Sequence, residues 1–333
     1  MKIFLTGCAG FIGFHTTQEL LKQGHEVIGV DNLNPYYDVT LKHNRLAQFK
    51  NHQAFEFHQG DVQDQQFIEK LFAQHKDIQG IIHLAAQAGV RYSLVDPYAY
   101  IQSNTLGHLN LLEKGRHLKD LQHFVYASTS SVYGANTKLP FSVTDPVNTP
   151  MSLYAASKRA CELISYTYAS LYQIPQTGLR FFTVYGPWGR PDMAAFLFTK
   201  GILAGQPIQV FNNGNMRRNF TYVDDIVQGV LGCLMNPPKE FKTPEDYSRL
   251  YNIGNDRSEA LMDFIGTLET LLGKKAIIDF QPIQAGDVPD TIADIEKTKT
   301  DFGFQPQTNI DVGLKNFVDW YQGYYGTQAA MGY

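Results

Sequence analysis

Through the first 180 residues, short apolar runs of strand length alternate with longer stretches whose apolar positions return every three to four residues. Lys2-Ile-Phe-Leu-Thr6 leads into the turn Gly7-Cys-Ala-Gly10-Phe11-Ile12-Gly13. The segment after it, Phe14 to Gln23, has helical spacing and is closed by Gly24. Continuous apolar runs mark buried strands and a period near 3.6 marks helices, with glycine just past a helix as its stop. Apolar runs recur at 26–31, 55–58, 80–84, 124–127 and 177–182. The alternation predicts an α/β fold, a doubly wound parallel sheet covered by helices on both faces, over residues 1–180.

Beyond residue 180 the rhythm breaks into short strands and turns, at 207–211, 250–253 and 277–280, with helical spacing over 258–272 and 312–321. This predicts a smaller α/β substrate-binding domain over 181–326. The segment 221–235 has apolar spacing that suits packing back on the first domain. Residues 237–247 read as a charged surface loop and 327–333 as a frayed tail. Two long helices, 98–117 and 152–172, carry apolar stripes at Ile101, Leu109 and Leu112 and at Leu163, Ile164 and Leu171.

A net charge of −4 gives no reason to expect nucleic acid or an anionic membrane as partner. The three cysteines, Cys8, Cys161 and Cys233, have neither paired nor metal-ligand spacing, which points to a reduced, cytoplasmic setting and to no metal. The first residues do not read as a signal peptide, and no run reaches membrane-spanning length.

The chemistry begins at the glycine turn. Between a strand and a helix, such a turn presents backbone N–H groups and the positive helix end to a pyrophosphate. Asp31, closing the next apolar run, is placed for the ribose hydroxyls and would repel a 2′-phosphate, so NAD is expected rather than NADP. Asp61-Val62 is placed for adenine, and Ala85-Ala86 lets the backbone approach the cofactor. Tyr154 and Lys158 lie one helical turn apart, on one face. Alone this is a common surface pair; beside a dinucleotide turn it becomes a redox acid/base, with the ammonium favouring the phenolate. Thr129, in Ala127-Ser-Thr-Ser-Ser131, supplies a hydroxyl upstream.

Together these residues resemble the extended short-chain dehydrogenase/reductase family, and within it the nucleotide-sugar epimerases. The likeness spans nearly the whole chain: the glycine turn, Asp31-Asn32, Asp61-Val62, Asn104, Ser128-Thr129, Tyr154/Lys158, Arg218 within 217–225, and Gly286-Asp-Val-Pro289. It implies a Rossmann domain binding NAD through Gly7, Gly10, Phe11, Ile12, Gly13, Asp31, Asn32, Asp61, Val62, Leu84, Ala85, Ala86, Asn104, Ser128, Tyr154 and Lys158. It also implies a carboxy-terminal domain gripping UDP, and a homodimer paired through the two long helices.

Segments 85–93, 183–193 and 286–289 are similar to the UDP-glucuronate 4-epimerase branch. That likeness implies oxidation at C4 by NAD, rotation of the 4-keto sugar and re-reduction, interconverting UDP-glucuronate and UDP-galacturonate. Tyr154 would be the base, Thr129 the hydroxyl at O4, and Lys158 the group that lowers the phenol pKa. Arg190, with Thr183, would clamp the uronate carboxylate; Ser128 and Ser130 would line the sugar site. Arg218 and Asp287 suit the diphosphate and the uridine ribose. Gln284 stands where related epimerases carry an arginine, and Arg91 is the candidate replacement.

Three other readings compete. A UDP-glucuronate decarboxylase would carry an acid after the catalytic hydroxyl, where this chain has Ser130 and Ser131. A UDP-glucose/UDP-galactose 4-epimerase would not need the carboxylate clamp. A non-catalytic NAD-sensing scaffold would lack the Tyr/Lys pair.

Overall fold

The computed structural model describes residues 1–239, 242–284 and 287–330. Six strands form the frame of the nucleotide lobe: β1 (Lys2–Thr6), β2 (Glu26–Asp31), β3 (Phe55–Gln59), β4 (Gly80–His83), β5 (His123–Thr129) and β6 (Gln176–Phe181). A further strand, Ser248–Ile253, joins β6, giving a seven-stranded sheet in the order Ser248–Ile253, β6, β5, β4, β1, β2, β3, parallel throughout. Strand order reverses between β1 and β4, which opens a crevice at their carboxyl ends.

The strand Ser248–Ile253 corrects the expectation that 250–253 belongs to the second domain. Tyr251 and Ile253 are fully buried and join the core containing Val125 and Leu179. An apolar run of this length satisfies its backbone groups beside β6 as readily as in a small sheet, and periodicity does not say which. The helix Glu296–Phe302 returns with it, Thr298 donating to the Asn252 carbonyl at 2.7 Å. The chain therefore crosses between lobes several times after residue 180.

The second lobe has its own core, in which Phe220 stacks on Phe264 at 4.3 Å and Phe196, Leu268, Leu314 and Phe317 close around them. The helix Val223–Leu234 lies against α1 (Phe11–Lys22) and buries Val223, Ile226, Val227 and Val230 in the nucleotide core.

Three helical segments differ from expectation. The stretch expected as one helix over 98–117 runs as Pro97–Tyr100, a wide π turn at Ile101–Leu106, and Gly107–Gly115. Residues 244–247, expected in a loop, form one helical turn. The last helix spans Ile310–Ala330, so 327–330 continue it instead of fraying; 331–333 lie outside the described residues.

Candidate active site

A cavity of about 940 Å³ opens at the crevice between β1 and β4 and extends under the second lobe. Its floor is the glycine turn. Gly7 adopts φ +77°, and a Cβ there would lie 2.8 Å from the Ala85 nitrogen, so the β1 turn and the end of β4 approach as only glycine permits. A Cβ at Gly13 would collide with the Gly7 carbonyl. Gly10 begins α1 without a side-chain cap, leaving the first-turn N–H groups at Phe11 and Ile12 on the cavity wall. An uncapped helix start above a glycine-rich turn fits the pyrophosphate of the NAD that the resemblance implies.

Asp31 ends β2 in the cavity wall, accepting from the Ala9 and Leu33 amides at 3.2 and 2.8 Å. Lys42 places its ammonium 3.6 Å away, both groups being buried. Asp61 accepts from Asn32 at 2.7 Å, and Val62, Leu84, Ala85 and Ala86 complete this end. Beneath it the buried Arg45 donates to the carbonyls of Ala9 and Trp188 at 2.8 and 2.6 Å, tying the glycine turn to the 186–190 loop.

At the opposite wall, β5 ends at Thr129, whose hydroxyl accepts from the Ser131 amide at 3.1 Å. Ser152 caps the helix Leu153–Tyr172, so Tyr154 and Lys158 stand on its first two turns facing β5. Burial raises the phenol pKa of Tyr154; the Thr129 hydroxyl and the Arg190 charge pull it down. Lys158 turns its ammonium to the Ala127 carbonyl at 3.0 Å, and burial lowers its pKa.

Two expected ligand residues have their polar groups engaged elsewhere, though Ser128 still lines the cavity. Ser128 spends its hydroxyl proton on buried Glu162 at 2.6 Å; Glu162 in turn takes a bidentate pair from Arg180, both at 2.9 Å. This cluster anchors the end of β5. Asn104 does not line the cavity: in the π turn, its amide bonds the Gln87 backbone in both directions, at 2.8 and 3.1 Å, and the Ser157 hydroxyl at 3.0 Å. It shapes the 85–89 wall from behind.

The second lobe brings Thr183, Arg190, Arg218 and Asp287 to the same cavity, with Arg91 and Ser130 facing them. Arg91 stacks over Phe211 at 4.5 Å and comes within 3.9 Å of Asp287. Arg218 is held by the Arg217 and Pro289 carbonyls at 3.0 and 3.2 Å. Gln284 is not among the lining residues, and Gly286 lies outside the described residues. Arg190 is paired bidentately with Asp192, at 3.0 and 2.5 Å, and Tyr36 donates to the same carboxylate at 3.1 Å. Lys42, Tyr36, Gln87 and Asp192 were missed by sequence reasoning. Only Asp192, two positions from Arg190, carried a visible signal.

Residues 3–254 match the NAD dependent epimerase/dehydratase family, a stretch that ends just after the strand Ser248–Ile253. Over 335 residues, 98% of this chain and 99% of the other, the chain is 48% identical to "Protein CapI" of Staphylococcus aureus. It is 43% identical to a probable UDP-glucuronate 4-epimerase of Rhizobium meliloti, over 96% of this chain and 97% of that one. The crystal structure of UDP-glucuronic acid 4-epimerase from Bacillus cereus, in complex with UDP-glucuronic acid and NAD, superposes with a TM-score of 0.90 at 34% identity, covering 98% of this chain and all of that one. With its glycine cradle at the sheet's switch point and Thr129, Tyr154 and Lys158 across the cavity, the chain belongs to the NAD dependent epimerase/dehydratase family.

Proposed function

We propose that this chain interconverts UDP-glucuronate and UDP-galacturonate by oxidation, rotation and re-reduction at C4. One observation carries the reading: Arg190 and Thr183 line the same cavity as Tyr154, Thr129 and Lys158. A cation in the same cavity as the base suits a sugar bearing its own carboxylate at C5. The likeness to the Rhizobium meliloti and Bacillus cereus epimerases supports it.

NAD, when bound, supplies the hydride acceptor and donor. The Tyr154 oxygen takes the proton of the 4-hydroxyl and later returns it; Thr129 orients O4 toward it. Lys158 donates to the Ala127 carbonyl of β5 and would hold the nicotinamide ribose of the bound cofactor. Arg91, Arg218 and Asp287 grip the diphosphate and uridine end, which leaves the sugar free to turn. Arg190 and Thr183 hold the carboxylate. This restraint matters because the 4-keto sugar is a β-keto acid: held near the carbonyl plane, the C5–carboxylate bond cannot align with the π system, and CO₂ loss is suppressed. No acid follows Thr129, since Ser130 and Ser131 stand there, so the site is built for epimerisation over decarboxylation.

The test is to incubate the purified protein with UDP-glucuronate and either NAD or NADP, and to separate the products. UDP-galacturonate should accumulate to equilibrium, with NAD strongly preferred because Asp31 accepts at the ribose position. A pentose nucleotide as main product, or a preference for NADP, overturns the reading. A second reading, a neutral-sugar 4-epimerase, is favoured by the pairing of Arg190 with Asp192, which leaves the clamp engaged before any substrate arrives. Faster turnover of UDP-glucose than of UDP-glucuronate would establish it.

The protein is further proposed to be a cytoplasmic homodimer. Its three cysteines are free and buried, and no helix among the described residues is long and apolar enough to cross a membrane. Leu94, Tyr98, Ile101, Leu163, Tyr166 and Leu171 are all exposed, Leu94 and Tyr98 at 76%. They lie on or beside the two helical segments expected to pair. Leu112, counted in that stripe from sequence, is wholly buried in its own subunit. Sedimentation at micromolar concentration should give twice the chain mass of 37.6 kDa; a monomer rejects the dimer.

A further inference from the structure

Arg190 meets the cavity already holding a carboxylate. Its Nε and Nη2 donate to the two oxygens of Asp192, the side-on fork geometry of the strongest guanidinium–carboxylate pairs. The Tyr36 hydroxyl donates to the same Asp192 oxygen, and the Tyr36 ring lies 5.9 Å from the guanidinium carbon. Asp192 itself lines the cavity, its side chain 31% exposed. Resting on the reading of Arg190 as the uronate clamp, we propose that Asp192 is a built-in stand-in for the substrate carboxylate. It occupies the side-on edge of Arg190 in the free enzyme, must be displaced for a uronate to dock there, and so sets the preference between acidic and neutral sugars.

Valence and charge force the displacement. A guanidinium has a single Nε/Nη2 edge, and two carboxylates brought to one cation in a partly desolvated site repel each other. One of them must leave that edge. Asp192 can leave by rotating its own side chain, because the pair closes within the turn in which Met193 donates to the Arg190 carbonyl at 3.2 Å. The Tyr36 hydroxyl, which already donates to Asp192, is the partner that would compensate it once Arg190 is given up. A neutral sugar leaves the Arg190–Asp192 pair undisturbed, and the displacement therefore weighs on uronates alone. If Asp192 instead merely positioned Arg190 for a second carboxylate, removing it would have the opposite sign, weakening uronate binding.

The experiment compares the wild-type holoenzyme with Asp192→Asn in steady-state turnover of UDP-glucuronate. Calorimetric binding of UDP-glucose serves as control, since it shares the diphosphate and lacks the carboxylate. Freeing a charged, hydrogen-bonded edge should lower KM for UDP-glucuronate roughly tenfold, and Kd for UDP-glucose should hardly change. An unchanged or higher KM for UDP-glucuronate overturns the proposal, as does an equal fall in Kd for UDP-glucose, which would report only the lost negative charge. Should Asp192→Asn not fold, as judged by its melting transition, Asp192→Ser repeats the test. A wild-type enzyme that does not turn over UDP-glucuronate overturns the functional reading and this proposal with it. One that does, with KM unmoved in both variants, overturns the role of Asp192 alone.

Discussion

Tyr154→Phe should lower kcat for UDP-glucuronate by about 10²- to 10⁴-fold with KM little changed, the range expected when a positioned acid/base is removed. The ring would remain to pack: Tyr154 meets Tyr100 edge-on at 6.0 Å, a contact phenylalanine keeps. What is lost is the phenol oxygen proposed to take and return the proton of the 4-hydroxyl. The pH profile gives a second, independent check. Burial raises the phenol pKa while Thr129 and Arg190 lower it, so a base that must be deprotonated gains activity as pH rises through that pKa. Thr129→Ala removes one lowering influence, and the acid limb of kcat should therefore move to higher pH. Full activity in Tyr154→Phe would place the chemistry elsewhere; an acid limb that moves to lower pH in Thr129→Ala would separate Thr129 from the phenol.

Arg190→Ala should weaken transition-state stabilisation for UDP-glucuronate by roughly 2–5 kcal/mol, the cost of stripping one partner from a desolvated charge pair. Any activity on UDP-glucose should hardly change. The structure adds a complication: alanine at 190 leaves Asp192 facing the cavity hydrogen-bonded to Tyr36 but without its countercharge, and that unneutralised carboxylate would itself repel a uronate. The cleaner comparison is Arg190→Ala combined with Asp192→Asn, which removes both charges of the pair. The clamp reading requires that the double variant still lose most of the uronate activity. It also requires that a decarboxylated pentose nucleotide appear beside the epimer, because a carboxylate free to rotate can align with the C4 carbonyl. Equal proportional losses on acidic and neutral sugars, with no pentose released, would assign Arg190 to holding the 186–193 loop.

The glycine turn, the acid at the end of β2 and the Tyr154/Lys158 pair were legible in the chain because each depends on local spacing. Gly7, Gly10 and Gly13 are required by backbone approach within one strand–turn–helix unit, and the period of apolar positions separates strands from helices without knowledge of their neighbours. What each polar group does with its hydrogen bonds was not legible. Asn104 and Ser128 have the residue types of ligand-binding positions. The structure turns Asn104 to Gln87 and Ser157, and Ser128 to Glu162, because the π turn and the buried Glu162–Arg180 pair stand within reach.

By itself, then, the sequence determined the parallel α/β frame, the dinucleotide turn and the one-turn spacing of Tyr154 and Lys158, all set by intervals of a few residues. Only the tertiary structure decided that Ser248–Ile253 extends the large sheet, that Lys42 stands against Asp31, and that Asp192 occupies Arg190. Which sheet edge a strand takes, and which countercharge a buried ion finds, depend on what packing brings together, and hydrophobic periodicity carries no record of that.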